Sequence, residues 1–402
     1  MANHERTARI PGHMPGLDGV RGLAILMVMA VHFVGDATPH NLAERIAVKL
    51  GNLGTQGVDL FFVLSGFLIT GLLLDSKGRP RFFRNFYARR TLRIFPLYYG
   101  VLAALFLVLP LFAHLPPALE DARAHQGWLW SYTANFYIAA KDSWALGYVS
   151  HFWSLAIEEH FYLVWPLVVF LVRRSTLERV CVAVIAAGLA LRIVLALTGV
   201  SELAISVLTP CRVDTLCVGA LLAAVARREG GVDLLVPRSG RATVLLGVAT
   251  VALSAAGNLT QLWLPVLHQI RGTLFALFFG ALTLTALQRA DRSLLARLFQ
   301  GPLLRMFGKY SYGLYVYHGV LSYHMLLLHT EDRLGAMLGS HSAGIAAQTV
   351  IGVTLSLIVS VISYDLFEKR FLELKKYFES RPAAVPATPA VAAVEQVSDV
   401  TG

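Results

Sequence analysis

The sequence predicts an all-α, polytopic membrane protein with about ten transmembrane helices and both termini in the cytoplasm. Three observations carry that expectation. Only 15% of the 402 residues are charged and 56% are hydrophobic, against roughly 25% charged in an ordinary soluble domain. So few charges cannot cover a soluble globule of this length, and the same composition excludes a disordered chain or a secreted disulfide scaffold. Second, charge-free runs are long: 22–35, 60–74, 94–119, 242–270, 310–330 and 334–364. A helix crosses a bilayer with about 20 residues, and these runs are too long for core strands. Third, Lys and Arg are unevenly placed. With the N-terminus inside, 27 of the 35 fall in inner segments, 5 in outer segments and 3 within spans. Cytoplasmic loops collect positive charge, so the net charge of +10 is explained by topology and needs no nucleic-acid partner.

The spans follow in order. The first, near 18–36, reads GLDGVRGLAILMVMAVHF from Gly16 and carries Arg21 and His32. Eleven residues turn the helix by about 1100° and rise about 16 Å, which puts both side chains nearly on one face. Arg21 then sits at the inner surface and His32 near mid-membrane. Singly, Arg21 reads as a topology anchor and His32 as a satisfied core histidine. Three arginines precede this apolar run as in a signal peptide, but no clear cleavage site follows, so it is kept as a helix. The second span, 55–74, has Asp59 in its outer part. The third, 92–113, is entered through FYARRTLRIFPLYY, where Arg90 and Arg93 share a helical face. Anchoring explains them, and two aligned guanidinium groups can also hold a phosphate. The outer loop 114–149, with Trp128, Trp130, Tyr132 and Trp144, is expected to lie along the interface as an aromatic belt.

The fourth span, 150–172, contains HFWSLAIEEHFYLVWP. Glu158 and Glu159 lie about 12 Å deep and point about 100° apart, so one of them at most faces a given cavity. The fifth span is 179–199. The sixth, 203–226, carries Arg212 and Asp214 about 13–16 Å deep. A mutual pair would explain them, yet residues two apart do not face each other on a helix. The seventh and eighth spans are 242–258 and 263–288. The ninth, 309–329, reads GKYSYGLYVYHGV from Gly308 and places His318 about 13 Å above Lys309. Its tyrosines 312, 315 and 317 read as packing groups. The tenth is 343–367, and the Pro/Ala-rich residues 381–402 are expected to be disordered. Cys181, Cys211 and Cys217 lie in apolar stretches and read as core residues. No zinc spacing, HExxH, GxGxxG or Walker motif occurs, so no metal is expected and a nucleotide fold is unsupported.

Charges at membrane depth are costly and usually face a cavity or a partner. Here they form a column: arginines at the cytoplasmic mouth, then His32, Glu158 or Glu159, Asp214 and His318 near the middle. That suits a phosphate-bearing donor from inside and an acceptor from outside. A histidine beside a carboxylate can deprotonate an alcohol. A sugar or lipid transporter without group transfer fits buried charges too, although the paired, interrupted halves common in transporters are not evident.

At these residues the sequence resembles the acyltransferase 3 family of membrane acyltransferases. The matching pieces are GLDGVRGLAILMVMAVH, GVDLFFVLSGFLI, RRTLRIFPLYY, HFWSLAIEEHFYLVWPL, RVDTLCVGALLA and GKYSYGLYVYHG. The resemblance covers roughly 17–320 and implies a membrane acyltransferase domain over 17–368, between cytoplasmic segments 1–16 and 369–402. It implies transfer of an acyl group, usually acetyl, from cytoplasmic acyl-CoA. The acceptor would be a hydroxyl of a surface polysaccharide, a lipid-linked sugar or a small natural product. The location would be the bacterial cytoplasmic membrane, with no permanently bound cofactor. It further implies that Arg21 and His32 matter for activity, with His32 the catalytic residue, and that Arg90 and Arg93 handle the CoA donor. On this reading Glu158 or Glu159 orients the imidazole of His32, Arg21 joins the donor's phosphate holders, and Asp59, Asp214 and His318 face the substrate. His160 departs from the Gln common at that position. Some relatives carry a fused extracytoplasmic domain, which here would have to come from another protein.

Overall fold

The computed structural model describes residues 14–257, 264–289, 291 and 293–379. Among them the chain is helical, with no strand. In chain order the α-helices are α1 (Pro15–Ala30), α2 (Leu42–Asn52), α3 (Gly57–Ser76), α4 (Phe82–Ala103), α5 (Pro117–Ala124), α6 (Gly127–Trp130), α7 (Ala134–Lys141), α8 (Trp153–Leu171), α9 (Arg174–Leu197) and α10 (Glu202–Val207). Then come α11 (Thr209–Ala226), α12 (Gly231–Gly257), α13 (Leu264–Thr285), α14 (Leu294–Phe299), α15 (Pro302–Lys309), α16 (Ser311–Leu327), α17 (Thr330–Leu338), α18 (His341–Ser363) and α19 (Lys369–Glu373).

Among the described residues nine helices are long and apolar enough to cross a membrane, where the sequence predicts about ten spans. The difference is the ninth expected span. It forms α16, whose 17 residues reach about 26 Å. This helix is walled in by its neighbours: Leu314, Val316, His318 and Gly319 are all buried. It can therefore carry tyrosines and histidines that a lipid-facing helix of the same length could not. The expected sixth span is also divided, because Pro210 opens α11 at its first turn and separates it from α10. Part of the expected eighth span and the Pro/Ala-rich tail lie outside the described residues.

Burial sorts the helices into two shells. In their most apolar stretches, 67% of the residues near α3 and 61% of those in α11 are buried, but only 17% in α9 and α12. So α1, α3, α8 and α11 form the centre, and α9 and α12 turn large apolar side chains such as Val194, Val248 and Val251 outward, as lipid-facing helices must. Small residues let the centre close. A Cβ on Gly66 of α3 would meet Leu216 O of α11 at 1.9 Å, and one on Gly219 would meet Val63 O at 1.9 Å. Such close approach is the usual way membrane helices gain packing energy. The glycines of GLDGVRG do the same at the N-terminal end of α1: a Cβ on Gly19 or Gly22 would lie 1.9 Å from Phe299 O or Leu304 O. They seat α1 against α14 and α15, and that fixes where α1 places its polar residues.

The outer loop, expected along the interface, is folded. It folds into α5, α6 and α7, whose Leu119, Leu129, Ala134 and Ile138 join the buried core. Tyr98 stacks on Tyr132 at 4.2 Å and donates to Leu129 O, and Tyr99 stacks on Trp130 at 5.6 Å. The aromatics therefore pin a lid of short helices to α4. The three cysteines are buried and free, as their apolar neighbourhoods predict.

Candidate active site: two cavities sharing a wall

After α1 the chain makes a π-helical turn, Val31–Gly35. The extra residue per turn in such a segment re-aims side chains and often marks a functional position. Here it presents His32 to an outer cavity of about 750 Å³. Nδ1 of His32 lies 3.2 Å from Oδ2 of Asp36. Asp59, Trp144, Trp153, Arg212 and Arg271 also line this cavity. A concave space of this size, with aromatic walls and a few polar groups, suits a sugar-sized ligand.

A smaller cavity of about 100 Å³ lies on the other side. Arg21, Arg90, Arg93 and Glu158 line it with Ser65 and Tyr162. Arg21 is close to Asp18 at 3.3 Å, and the Arg90 guanidinium lies 4.9 Å over the Tyr162 ring. Tyr162 shares a hydrogen bond with Ser65, and Glu158 sits within electrostatic reach of Arg90 and Arg21. Three guanidinium groups around one hollow give an anion site. The inner and outer cavities are lined in common by Val58 and Tyr315. Tyr315 is held by two hydrogen bonds, with Ser154 Oγ at 2.6 Å and to His151 O at 2.7 Å.

The expected column of polar groups is thus divided. Arg21, Arg90, Arg93 and Glu158 meet in the inner cavity, and His32 and Asp59 line the outer one. Of the two glutamates, whose 100° offset lets one at most face a given cavity, Glu158 is the one that lines a cavity; Glu159 has a buried oxygen with no hydrogen-bond partner among the described residues. Neither orients His32. That position is taken by Asp36, four residues on, because the π turn brings its carboxylate under the imidazole while Glu158 faces the arginines. Asp214 lines neither cavity: it is buried and bonds Arg192 at 2.6 Å. His318 is fully buried behind the wall, its ring 5.2 Å from that of His32, with Nδ1 bound to Leu314 O at 2.9 Å. It supports His32 and is out of reach of a ligand in either cavity. The Arg212–Asp214 pair is absent too. Arg212 pairs with Asp59 of α3, and Arg192 of α9 takes Asp214. His160 bonds Thr209 Oγ1 at 2.8 Å and stacks on Phe136, a packing role. The residue missed from sequence is Asp36; its signal was the four-residue spacing from His32.

Comparison with known proteins finds a family and several relatives. A family model described as an acyltransferase domain matches residues 14–365. The chain is 30% identical to the peptidoglycan O-acetyltransferase OatA of Listeria monocytogenes over 76% of this chain and 49% of that protein. It is 28% identical to the O-acetyltransferase OatA of Staphylococcus aureus over 77% of this chain and 50% of that protein. The chain spans about half the length of these curated relatives. No solved structure matches.

Proposed function

The chain belongs to the acyltransferase-domain family, and from that premise we propose that it moves an acyl group, in the first instance acetyl, from cytoplasmic acyl-CoA to a hydroxyl of a glycan outside the cytoplasmic membrane. The observation that carries this reading is the pair of cavities that share Tyr315 and Val58, one lined by three arginines and the other by His32 with Asp36. Arg21, Arg90 and Arg93 hold the phosphates of CoA, and the thioester arm runs past Tyr315 toward His32. Arg21 and His32 are about 16 Å apart along the helix rise, so donor head and reacting carbon occupy opposite ends of one path.

In the transfer step Asp36 accepts the Nδ1 proton of His32 in a hydrogen bond, which leaves the Nε2 lone pair facing the cavity. Nε2 takes the proton of the acceptor hydroxyl as its oxygen attacks the thioester carbonyl. The C–S bond then breaks, and the imidazolium returns its proton to the departing thiolate of CoA. Atoms and charges balance with no further reactant. Trp144 and Trp153 offer flat faces to a sugar ring. The relatives named above act on peptidoglycan or are O-acetyltransferases, so a peptidoglycan oligosaccharide is the first acceptor to try. The test is acetyl transfer by the purified full chain in proteoliposomes, with labelled acetyl-CoA and that oligosaccharide. Formation of a base-labile acetyl ester supports the reading, and its absence with every hydroxyl acceptor tried overturns it.

A further inference from the structure

A second cluster of chemistry-bearing side chains lies at the outer face and lines neither cavity. His40 lies between the π turn and α2, Glu44 stands in the first turn of α2, and His341 opens α18. Although Glu44 and His341 are 297 residues apart, Glu44 Oε2 and His341 Nδ1 meet at 3.1 Å. The His40 ring stacks on that of His341 at 3.7 Å and 18°. One ligand atom from each of the three residues lies within 4.8 Å of the others. Glu44 is only 3% exposed, and its oxygens accept from Ser342 Oγ and the His40 backbone N–H, both at 2.6 Å. Asp332 Oδ1 lies 3.3 Å from Nε2 of His341.

Two imidazole rings stacked at 3.7 Å beside a buried carboxylate bring three ligand atoms of the zinc-binding kind together. A divalent cation satisfies all three groups at once. It takes the lone pairs of two neutral imidazoles and one carboxylate oxygen. Zinc bonds of 2.0–2.2 Å in a tetrahedron put ligand atoms roughly 3.3 Å apart, close to the Nδ1–Oε2 separation already present. His40 is exposed, so its ring can turn to complete the set. Asp332 Oδ1 lies 3.3 Å from a His341 Nε2 that has no hydrogen-bond partner among the described residues, so it is the carboxylate placed to take that proton once the ring is fixed, as carboxylates orient metal-bound imidazoles. Two nitrogens and one oxygen suit zinc better than magnesium or calcium, which prefer all-oxygen shells.

We propose that His40, Glu44 and His341 bind a zinc-class divalent cation, with Asp332 orienting His341. The ion would fasten residues 37–44, which directly follow the His32–Asp36 pair, to the start of the last span.

The test uses the full chain without a histidine tag, purified in detergent, stripped with a chelator and reloaded with zinc alone. Bound zinc is counted by mass spectrometry after desalting, and affinity is measured against a competing dye. The expected result is one tightly held equivalent and a raised melting temperature. Affinity should fall at least tenfold in His341→Ala and in His40→Ala, and about tenfold in Asp332→Asn, and stay unchanged in His268→Ala, a histidine of the outer cavity that is not part of the cluster. An unchanged zinc content in the His40 and His341 variants overturns the proposal. So does a parent protein that holds no zinc, including one whose melting temperature responds to pH but not to the metal. Should His341→Ala fail to fold, His40→Ala, which alters an exposed ring, decides alone.

Discussion

Nδ1 of His32 lies 3.2 Å from Oδ2 of Asp36, one turn further along the same stretch of chain. The pair is local, so its geometry depends on the π turn rather than on the meeting of distant helices. Asp36 is also the partner the glutamates of α8 are not. Removing it should therefore act through the imidazole. Asp36→Asn keeps the shape but not the charge, and is expected to lower kcat by about 10²-fold or more while leaving the KM for acetyl-CoA near its original value. His32→Ala should lose at least as much. Initial rates of ester formation at saturating donor decide this; an Asp36→Asn enzyme with full kcat would remove the carboxylate from the mechanism.

The inner cavity makes a separate prediction about the donor. Arg90 and Arg93 are three residues apart on α4 and both line it. A charge-assisted hydrogen bond contributes about 1.5–3 kcal/mol, so either Arg→Ala change should weaken CoA binding roughly 10- to 100-fold. Lysine should rescue poorly, because it lacks the planar fork that holds a phosphate at two points. Calorimetry with CoA on the detergent-solubilised protein measures this without needing an acceptor. Equal affinity in Arg90→Ala, Arg93→Ala and the parent would place the phosphates elsewhere.

Arg192 and Asp214 are nearly sealed from solvent, with side chains 4% and 2% exposed, and meet at 2.6 Å. Asp214→Ala leaves a buried guanidinium uncompensated, which costs about 3–5 kcal/mol. The variant should melt well below the parent in detergent. The double variant Arg192→Met/Asp214→Leu removes both charges and should recover most of the loss. A thermal melt of the three proteins checks the sign: a single variant as stable as the parent would mean the pair is not structural.

Much of this architecture was legible in the sequence because the bilayer imposes strong rules. Length, hydropathy and the placement of arginines predict about ten spans, and nine of the described helices are long and apolar enough to cross a membrane. The 100° offset predicts that one of Glu158 and Glu159 at most faces a given cavity, without saying which. Periodicity puts Arg21 and His32 nearly on one face, yet they line different cavities, because His32 lies in the π turn beyond α1. What sequence could not supply were pairings between distant helices. Asp59 with Arg212 and Asp214 with Arg192 join residues 153 and 22 positions apart, and a one-dimensional reading offers the nearer, wrong partner. The π turn was hidden for another reason: VHFVG carries no composition that distinguishes it from α-helix.

The wall between the cavities yields the last prediction. Tyr315 lines both, and its hydroxyl is tied to Ser154 and His151 O. If the thioester arm passes this ring, the ring also limits how far water can follow. Tyr315→Phe keeps the bulk and loses two hydrogen bonds, so transfer should fall only a few-fold. Tyr315→Ala opens the wall. Water from the outer cavity then competes with the acceptor for the activated carbonyl, and the ratio of acetyl-CoA hydrolysis to glycan acetylation should rise at least tenfold. Free thiol release measured with and without the glycan gives both rates in one assay. A Tyr315→Ala enzyme that loses transfer without gaining hydrolysis would show that the ring positions the donor and does not exclude water.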